Sequence, residues 1–384
     1  MSETASFPAD ATTISTSLHA APAAGRRPFV EIDSWALKAN WRSLAMASGR
    51  ARTAAAVKAD AYGLGVETTA KALFGAGCRD FFVAYAEEGA SVREAMPGKN
   101  FRVFVLQGLD PQAAAICRRH RLIPVLSTPQ DIATWQETAA GELPGVCALQ
   151  LETGMNRLGL DEAEAKRAAR LAAEGKLDLA LVMSHLASAD DRDGTQSQGQ
   201  LERFQALTAH FPHVGRSLAN SAGTFLDPSY HFDLTRPGIA LYGGAASLDP
   251  DGSIRPVVTL KAHILQLRWA AKGQAVGYGA SARLARRTRV ATIGLGYADG
   301  LPRCLSGRGA EVFAAGRRAP ILGRISMDLT TVDVTDIPED DLAPGDTVEV
   351  FGPNIPIDET AERAGTIGYE LLTSLGPRVS RNWR

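Results

Sequence analysis

The runs FFVAYA (81–86), FRVFVLQ (101–107), LIPVLS (122–127), VCALQLE (146–152) and LALVMSH (179–185) decide the fold. Each is short and apolar on both faces, the pattern of strands buried on both sides of a parallel sheet. Working outward, TAAAVK (53–58) precedes this series, and RSLANS (216–221) and LTRPGIALY (234–242) follow it. Helix-like stretches separate the runs: VETTAKALFGAG (66–77), PQAAAICRRH (111–120), DEAEAKRAARLAAEG (161–175) and QGQLERFQALTAHF (198–211). Asp110 before Pro111 and Thr128 before Pro129 are helix-start signals. Eight strand–helix units in roughly 215 residues predict an α/β fold, a (β/α)8 TIM-like barrel rather than an open doubly wound sheet.

Beyond Gly252 the rhythm changes. VVTLKAHILQLRWA (257–270), RVATIGLG (289–296), AEVFAAG (310–316), APILGRISMDLTTVDV (319–334) and DTVEVFG (346–352) read as strands, and only IDETAERAG and IGYELLTSLG look helical. The expected organisation is a flexible extension over 1–27, a barrel over 28–251 and a smaller, mainly β domain over 252–384. The length of 384 residues suits one large and one small domain.

Composition narrows the function. Lys and Arg number 41 against 42 Asp and Glu, a net charge of −1, so no summed field attracts nucleic acid. No apolar run approaches the roughly 18 residues of a membrane span. Residues 1–27 lack the basic and apolar regions of a secretory signal. Cys78, Cys117, Cys147 and Cys304 show no CxxC spacing, which argues against a zinc site or disulfide framework and for a cytoplasmic chain with no metal.

In a barrel, chemistry gathers where strands end at their C-terminal side. Lys58 closes the first run, and a lysine against apolar walls loses ammonium solvation and becomes available as a neutral amine. Taken alone, a lysine there more often points into water. Its company alters that reading. Asn220-Ser221-Ala222-Gly223 after the seventh run and Gly238-Ile239 in the eighth lie where barrels hold phosphate, and Tyr62 and Tyr369 can add hydroxyl donors. Arg236 cannot release its proton, so a ring nitrogen facing it would have to stay unprotonated.

The stretches AAAVKADAYGLG (54–65), LETGMNRLG (151–159), SHLASAD (184–190), ANSAG (219–223), LTRPGIALYGG (234–244), VGYG (276–279), IGLGYADGLPR (293–303), GRISMDLTTVD (323–333) and GYE (368–370) resemble alanine racemase, a fold-type III pyridoxal-phosphate family. The likeness runs from about Phe29 to the C-terminus. It implies pyridoxal 5'-phosphate on Lys58, which also serves as the base on one face of the substrate α-carbon. It implies that Tyr278 serves the opposite face from the partner subunit, so that a homodimer shares its active sites. Tyr62, Ser221, Gly238, Ile239 and Tyr369 match phosphate contacts, Asn220 adjoins them, Arg236 matches the ring-nitrogen contact, and His185 packs beside it. Arg157 matches the residue that orients cofactor and base. Met327 matches a substrate-carboxylate contact, with Asp328 next to it, and Tyr297 matches the lining of the access channel. The implied activity is interconversion of L- and D-alanine, supplying D-alanine for peptidoglycan. A racemase of broader specificity on the same scaffold and a non-catalytic pyridoxal-phosphate binder are the alternatives.

One position departs from many relatives, which carry a carbamylated lysine where this chain has Gln150. Gln150 brings no charge to Arg157, and an anion such as chloride, or a water, is expected to take the carbamate's place.

Overall fold

The computed structural model describes residues 25–138, 145–191, 193–244, 249 and 252–384. Most of the expected extension, residues 1–24, lies outside the described residues. The strands Ala55–Ala56, Asp80–Val83, Arg102–Val105, Ile123–Leu126, Val146–Gln150, Asp178–Met183 and Arg216–Ser217 form one parallel sheet in chain order. An eighth strand, Leu234–Thr235, pairs in parallel with Arg52–Thr53, just before the first. Backbone bonds from Asp233 N to Arg216 O (3.0 Å), Arg236 N to Ala219 O (2.9 Å) and Ala54 N to Thr235 O (2.9 Å) close the barrel.

Burial on both faces has a simple origin. Phe82, Phe104, Val125, Ala148, Leu181, Met183 and Leu234 turn inward and pack with one another, the Phe82 and Phe104 rings stacked at 4.6 Å. Their neighbours Phe81, Val103, Leu126, Leu149 and Val182 turn outward under the helices. The helices begin where expected: the Asp110 carboxylate accepts from Ala113 N, and Thr128 and Asp131 cap reciprocally.

Three expectations need correction. Of RSLANS only Arg216–Ser217 is strand, and of LTRPGIALY only Leu234–Thr235, because Pro237 has no N–H for a ladder and Ile239–Tyr242 winds into a 3-10 turn. FFVAYA stops being strand at Val83, and Ala86 opens the helix Ala86–Ala95. Phe29–Ile32, assigned with the barrel, lies in the second unit's sheet. Its FVEI alternation, half buried on one face, suits a two-faced ladder, antiparallel to Val258–Ala270 and parallel to Ser380–Trp383.

That second sheet has eight strands, centred on the 13-residue strand Val258–Ala270, which also pairs with Thr288–Ile293 and Thr347–Phe351. Hairpins over Glu311–Ala314, Arg317–Leu322 and Thr330–Asp333 complete it. Among the described residues no helix is long and apolar enough to cross a membrane.

Candidate active site

The C-terminal mouth of the barrel encloses a cavity of about 430 Å³. Lys58, Tyr62, Gln150, Arg157, His185, Asn220, Ser221, Arg236, Gly238 and Tyr369, all singled out from sequence, line it. Three cations face it, Lys58, Arg157 and Arg236, and none of its lining residues is a carboxylate. Such a mouth favours an anionic guest.

Lys58 opens an unusual turn. Ala59, Asp60, Ala61 and Tyr62 have φ of +52° to +58°, four successive left-handed residues without a glycine among them. Each costs about 1–2 kcal/mol relative to a right-handed turn. The surroundings hold the turn: Asp60 O accepts from Gly65 N (2.9 Å), its carboxylate from Val66 N (2.7 Å), and Gly63 O from Arg381 Nε (3.0 Å). The reversal of hand carries Tyr62 inward, its ring 4.6 Å from Tyr242 and 5.9 Å from Tyr369. Burial, then the Arg157 charge, lowers the Lys58 pKa, and Glu88 partly opposes them.

Ser221 and Gly238 meet at the mouth of the barrel. The Ser221 hydroxyl accepts from Gly238 N (2.8 Å) and Ala240 N (3.3 Å). A Cβ on Gly238 would collide with the Tyr62 hydroxyl, so glycine is required for this approach. Asn220 shapes the preceding turn by accepting from Gly223 N (2.9 Å). Ile239, the next residue after Gly238, is buried and does not line the cavity. Desolvation pushes the Tyr369 hydroxyl up to about 12 and raises that of Tyr62 further, so both remain proton donors at neutral pH.

Arg236 is buried and donates to Ser217 Oγ (2.5 Å), Ser184 O (2.5 Å) and Leu218 O (3.4 Å). Burial brings its pKa down to about 9, still cationic at neutral pH. Burial, then Arg236, Arg157 and Lys58, drives the imidazole of His185 down to about 3, so it is neutral. Gln150 donates to Leu158 O (3.2 Å), and among the described residues no hydrogen bond joins it to Arg157. The loop carrying Arg157 is fixed by Glu152, whose carboxylate accepts from Gly154 N and Asn156 N.

Four expected residues lie elsewhere on this chain. Tyr278, Tyr297, Met327 and Asp328 do not line the cavity; they sit on the second unit. Tyr278 is 67% exposed and Met327 53% exposed. Met327 O accepts from Ala298 N (2.9 Å), and Arg378 ties Asp328 to buried Asp299 at 2.8 Å each, fixing these loops together. The sequence reading missed the apolar lining, Phe82 and Met183 among it, since inward and outward positions of an all-apolar strand look alike. It also passed over Glu88, signalled only by its place three residues into a helix.

A closed parallel barrel with a lysine and two arginines at its mouth, joined to a mainly β unit, defines a class of two-domain barrel proteins built to hold an anionic compound beside an amine. The chain belongs to the alanine racemase family. Residues 32–246 match the family model "Alanine racemase, N-terminal domain" and residues 257–383 match "Alanine racemase, C-terminal domain". It is 46% identical to the biosynthetic alanine racemase of Agrobacterium fabrum, covering 92% of each chain. It is 48% identical to the alanine racemase of Acidiphilium cryptum, over 92% of this chain and 98% of that one. The crystal structure of alanine racemase from Bartonella henselae with covalently bound pyridoxal phosphate superposes with a TM-score of 0.88 at 37% identity, covering 94% of this chain and all of that one.

Proposed function

We propose that this protein interconverts L- and D-alanine with pyridoxal 5'-phosphate held at Lys58, supplying D-alanine for cell-wall peptidoglycan from the cytoplasm. The observation that carries the reading is a lysine of lowered pKa in a cavity lined by two arginines and no carboxylate. The residues fit the cofactor: Ser221, Gly238, Tyr62 and Tyr369 offer a cradle suited to a phosphate, with Asn220 and Ile239 shaping it, and Arg236 offers only donors to a ring nitrogen. Bound there, pyridoxal phosphate supplies an electron-withdrawing ring that acidifies the substrate α-carbon.

Racemisation needs a proton removed on one face of that carbon and another delivered on the opposite face, and one side chain cannot serve both. Lys58 serves the face it meets, its amine freed by burial and by Arg157. Neutral His185 packs beside Arg236 without adding charge. The second base is the partner subunit's Tyr278, and substrate contacts come from Arg157 of this chain. Support for a second copy comes from the exposed side chains of Tyr278, Tyr297, Met327 and Leu329 on the second unit, an apolar group that a partner would cover. In that dimer Met327 and Asp328 of one protomer meet the substrate of the other, with Tyr297 lining its access channel.

The test is the visible absorbance of the purified protein together with chiral analysis of both enantiomers of alanine, serine and lysine. Interconversion of alanine from either side is expected. A protein that stays colourless with added cofactor overturns the reading, and a coloured protein that converts nothing is a cofactor binder without catalysis.

A further inference from the structure

Glu88 lies on the helix after the second barrel strand, three residues into it, and one of its oxygens has an ordinary task. Oε2 accepts from Ala84 N (2.7 Å) and Tyr85 N (3.2 Å), which caps the helix start. A helix cap needs one oxygen. The other, Oε1, crosses to a different element and accepts from Ala59 N at 2.6 Å, a partner 29 residues away. Ala59 follows Lys58 directly and is the first of the four left-handed residues.

We propose that Glu88 is the positioning residue that seats Lys58, clamping the first peptide of the left-handed turn to the start of the helix that follows the second barrel strand. The inference rests on the reading of Lys58 as the cofactor lysine. The turn adopts its hand without glycine, so something must hold it. Its far end has Arg381, which donates to Gly63 O and to the carbonyls of Leu375, Gly376 and Val379. At the lysine end a carboxylate performs this task, with a charge-assisted bond to Ala59 N. The same carboxylate also acts on the Lys58 amine, opposing burial and Arg157. Glu88 therefore sets both where Lys58 sits and how readily it holds its proton, without itself lining the cavity.

Glu88→Gln keeps size and one acceptor but turns the other half into a donor, so one of the two clamped elements loses its partner. Two readouts separate positioning from mere folding. Hydrogen exchange of the full-length protein, read on a peptide spanning 58–65, is expected to quicken at least about tenfold, with a peptide spanning 102–107 unchanged. In the cofactor-loaded enzyme kcat is expected to fall at least about tenfold with KM for alanine within about twofold, and the Lys58-linked limb of the kcat profile to move to lower pH. Glu88→Asp, which keeps the charge on a shorter arm, is expected to lie between Glu88→Gln and the unaltered chain on both. Unchanged exchange over 58–65 in a folded Glu88→Gln protein overturns the clamp even where activity is lost. If Glu88→Gln does not fold, Glu88→Asp decides: exchange and kcat equal to those of the unaltered chain refute the proposal. The exchange readout does not depend on racemisation, so its failure is distinct from failure of the functional reading.

Discussion

Gly238→Ala tests the cradle most directly. An added Cβ overlaps the Tyr62 hydroxyl and comes within 3.3 Å of Tyr62 Cζ and 3.6 Å of Ala56 Cβ. The tyrosine cannot simply swing aside, because its ring packs against Tyr242 at 4.6 Å and near Tyr369 at 5.9 Å, and Tyr242 is itself anchored by its hydroxyl to Ala56 O (2.9 Å). Overpacking of this kind costs about 1–3 kcal/mol. Taking about 2 kcal/mol, and about 2–4 °C per kcal/mol for a unit of this size, Tm of the cofactor-free protein falls by about 4–8 °C. Displacing Tyr62 also disturbs the cofactor contact proposed for it, and a loss of about 1.4 kcal/mol there weakens cofactor binding tenfold. Differential scanning calorimetry and titration by visible absorbance measure the two effects. Gly199→Ala is the control: it sits in the helix Thr195–Thr208 with nothing within 4 Å of the added carbon, and helix propensity predicts a gain of about 0.5–1 kcal/mol. A Gly238→Ala protein with Tm within about 1 °C of the parent and undiminished cofactor affinity refutes the claim that this glycine is required by close approach.

Other outcomes follow from the same geometry. Mixing Lys58→Ala and Tyr278→Ala chains restores about a quarter of full activity, because half the random dimers are mixed and each has one intact site of two; no recovery after verified subunit exchange removes the shared site. Tyr278→Ala blocks racemisation but spares solvent deuterium exchange at the α-carbon from the enantiomer served by Lys58, and equal loss from both enantiomers argues against two bases. Because His185 has a folded-state pKa depressed to about 3, the unfolded chain gains its proton first. Stability is therefore lost as pH falls below about 6.5, with a slope of roughly 1 kcal/mol per unit. His185→Gln flattens that slope in urea unfolding between pH 6.5 and 5, and an unchanged slope contradicts a buried neutral imidazole. Exchanging chloride for gluconate lowers turnover, and Gln150→Glu, which brings its own charge to Arg157, abolishes the dependence; indifference of the unaltered chain to chloride refutes an anion beside Gln150.

The barrel was readable because Phe82 and Phe104 bury inward while Phe81 and Val103 bury outward, leaving unbroken apolar runs between helices. The last two barrel strands were legible only in outline, since each keeps two ladder residues and gives the rest of its run to site-forming turns. The lysine turn was invisible in advance: nothing in Ala-Asp-Ala-Tyr announces four left-handed residues, which tertiary contacts impose against local preference. The strand Phe29–Ile32 was misplaced because its partners begin at Val258 and Ser380, far along the chain, whereas sequence patterns report neighbours. Of the residues named for the site, those on the barrel strands and their loops, Ile239 apart, line one cavity together with Tyr369 of the second unit, whereas Tyr278, Tyr297, Met327 and Asp328 of that unit do not.

The pairing of Phe29–Ile32 with Val258–Ala270 and Ser380–Trp383 has a consequence for how the molecule can be made. A chain cut at residue 251 would retain the whole barrel yet leave Val30 and Ile32, both fully buried in the complete protein, on a strand with no partner on either edge. During synthesis that strand emerges before either neighbour and waits while more than two hundred residues are added. Only then can it be flanked, by a neighbour from mid-chain and by one from the C-terminal end. The barrel is thus not a detachable module: its leading segment is on loan to the other domain, and the two complete their folding together.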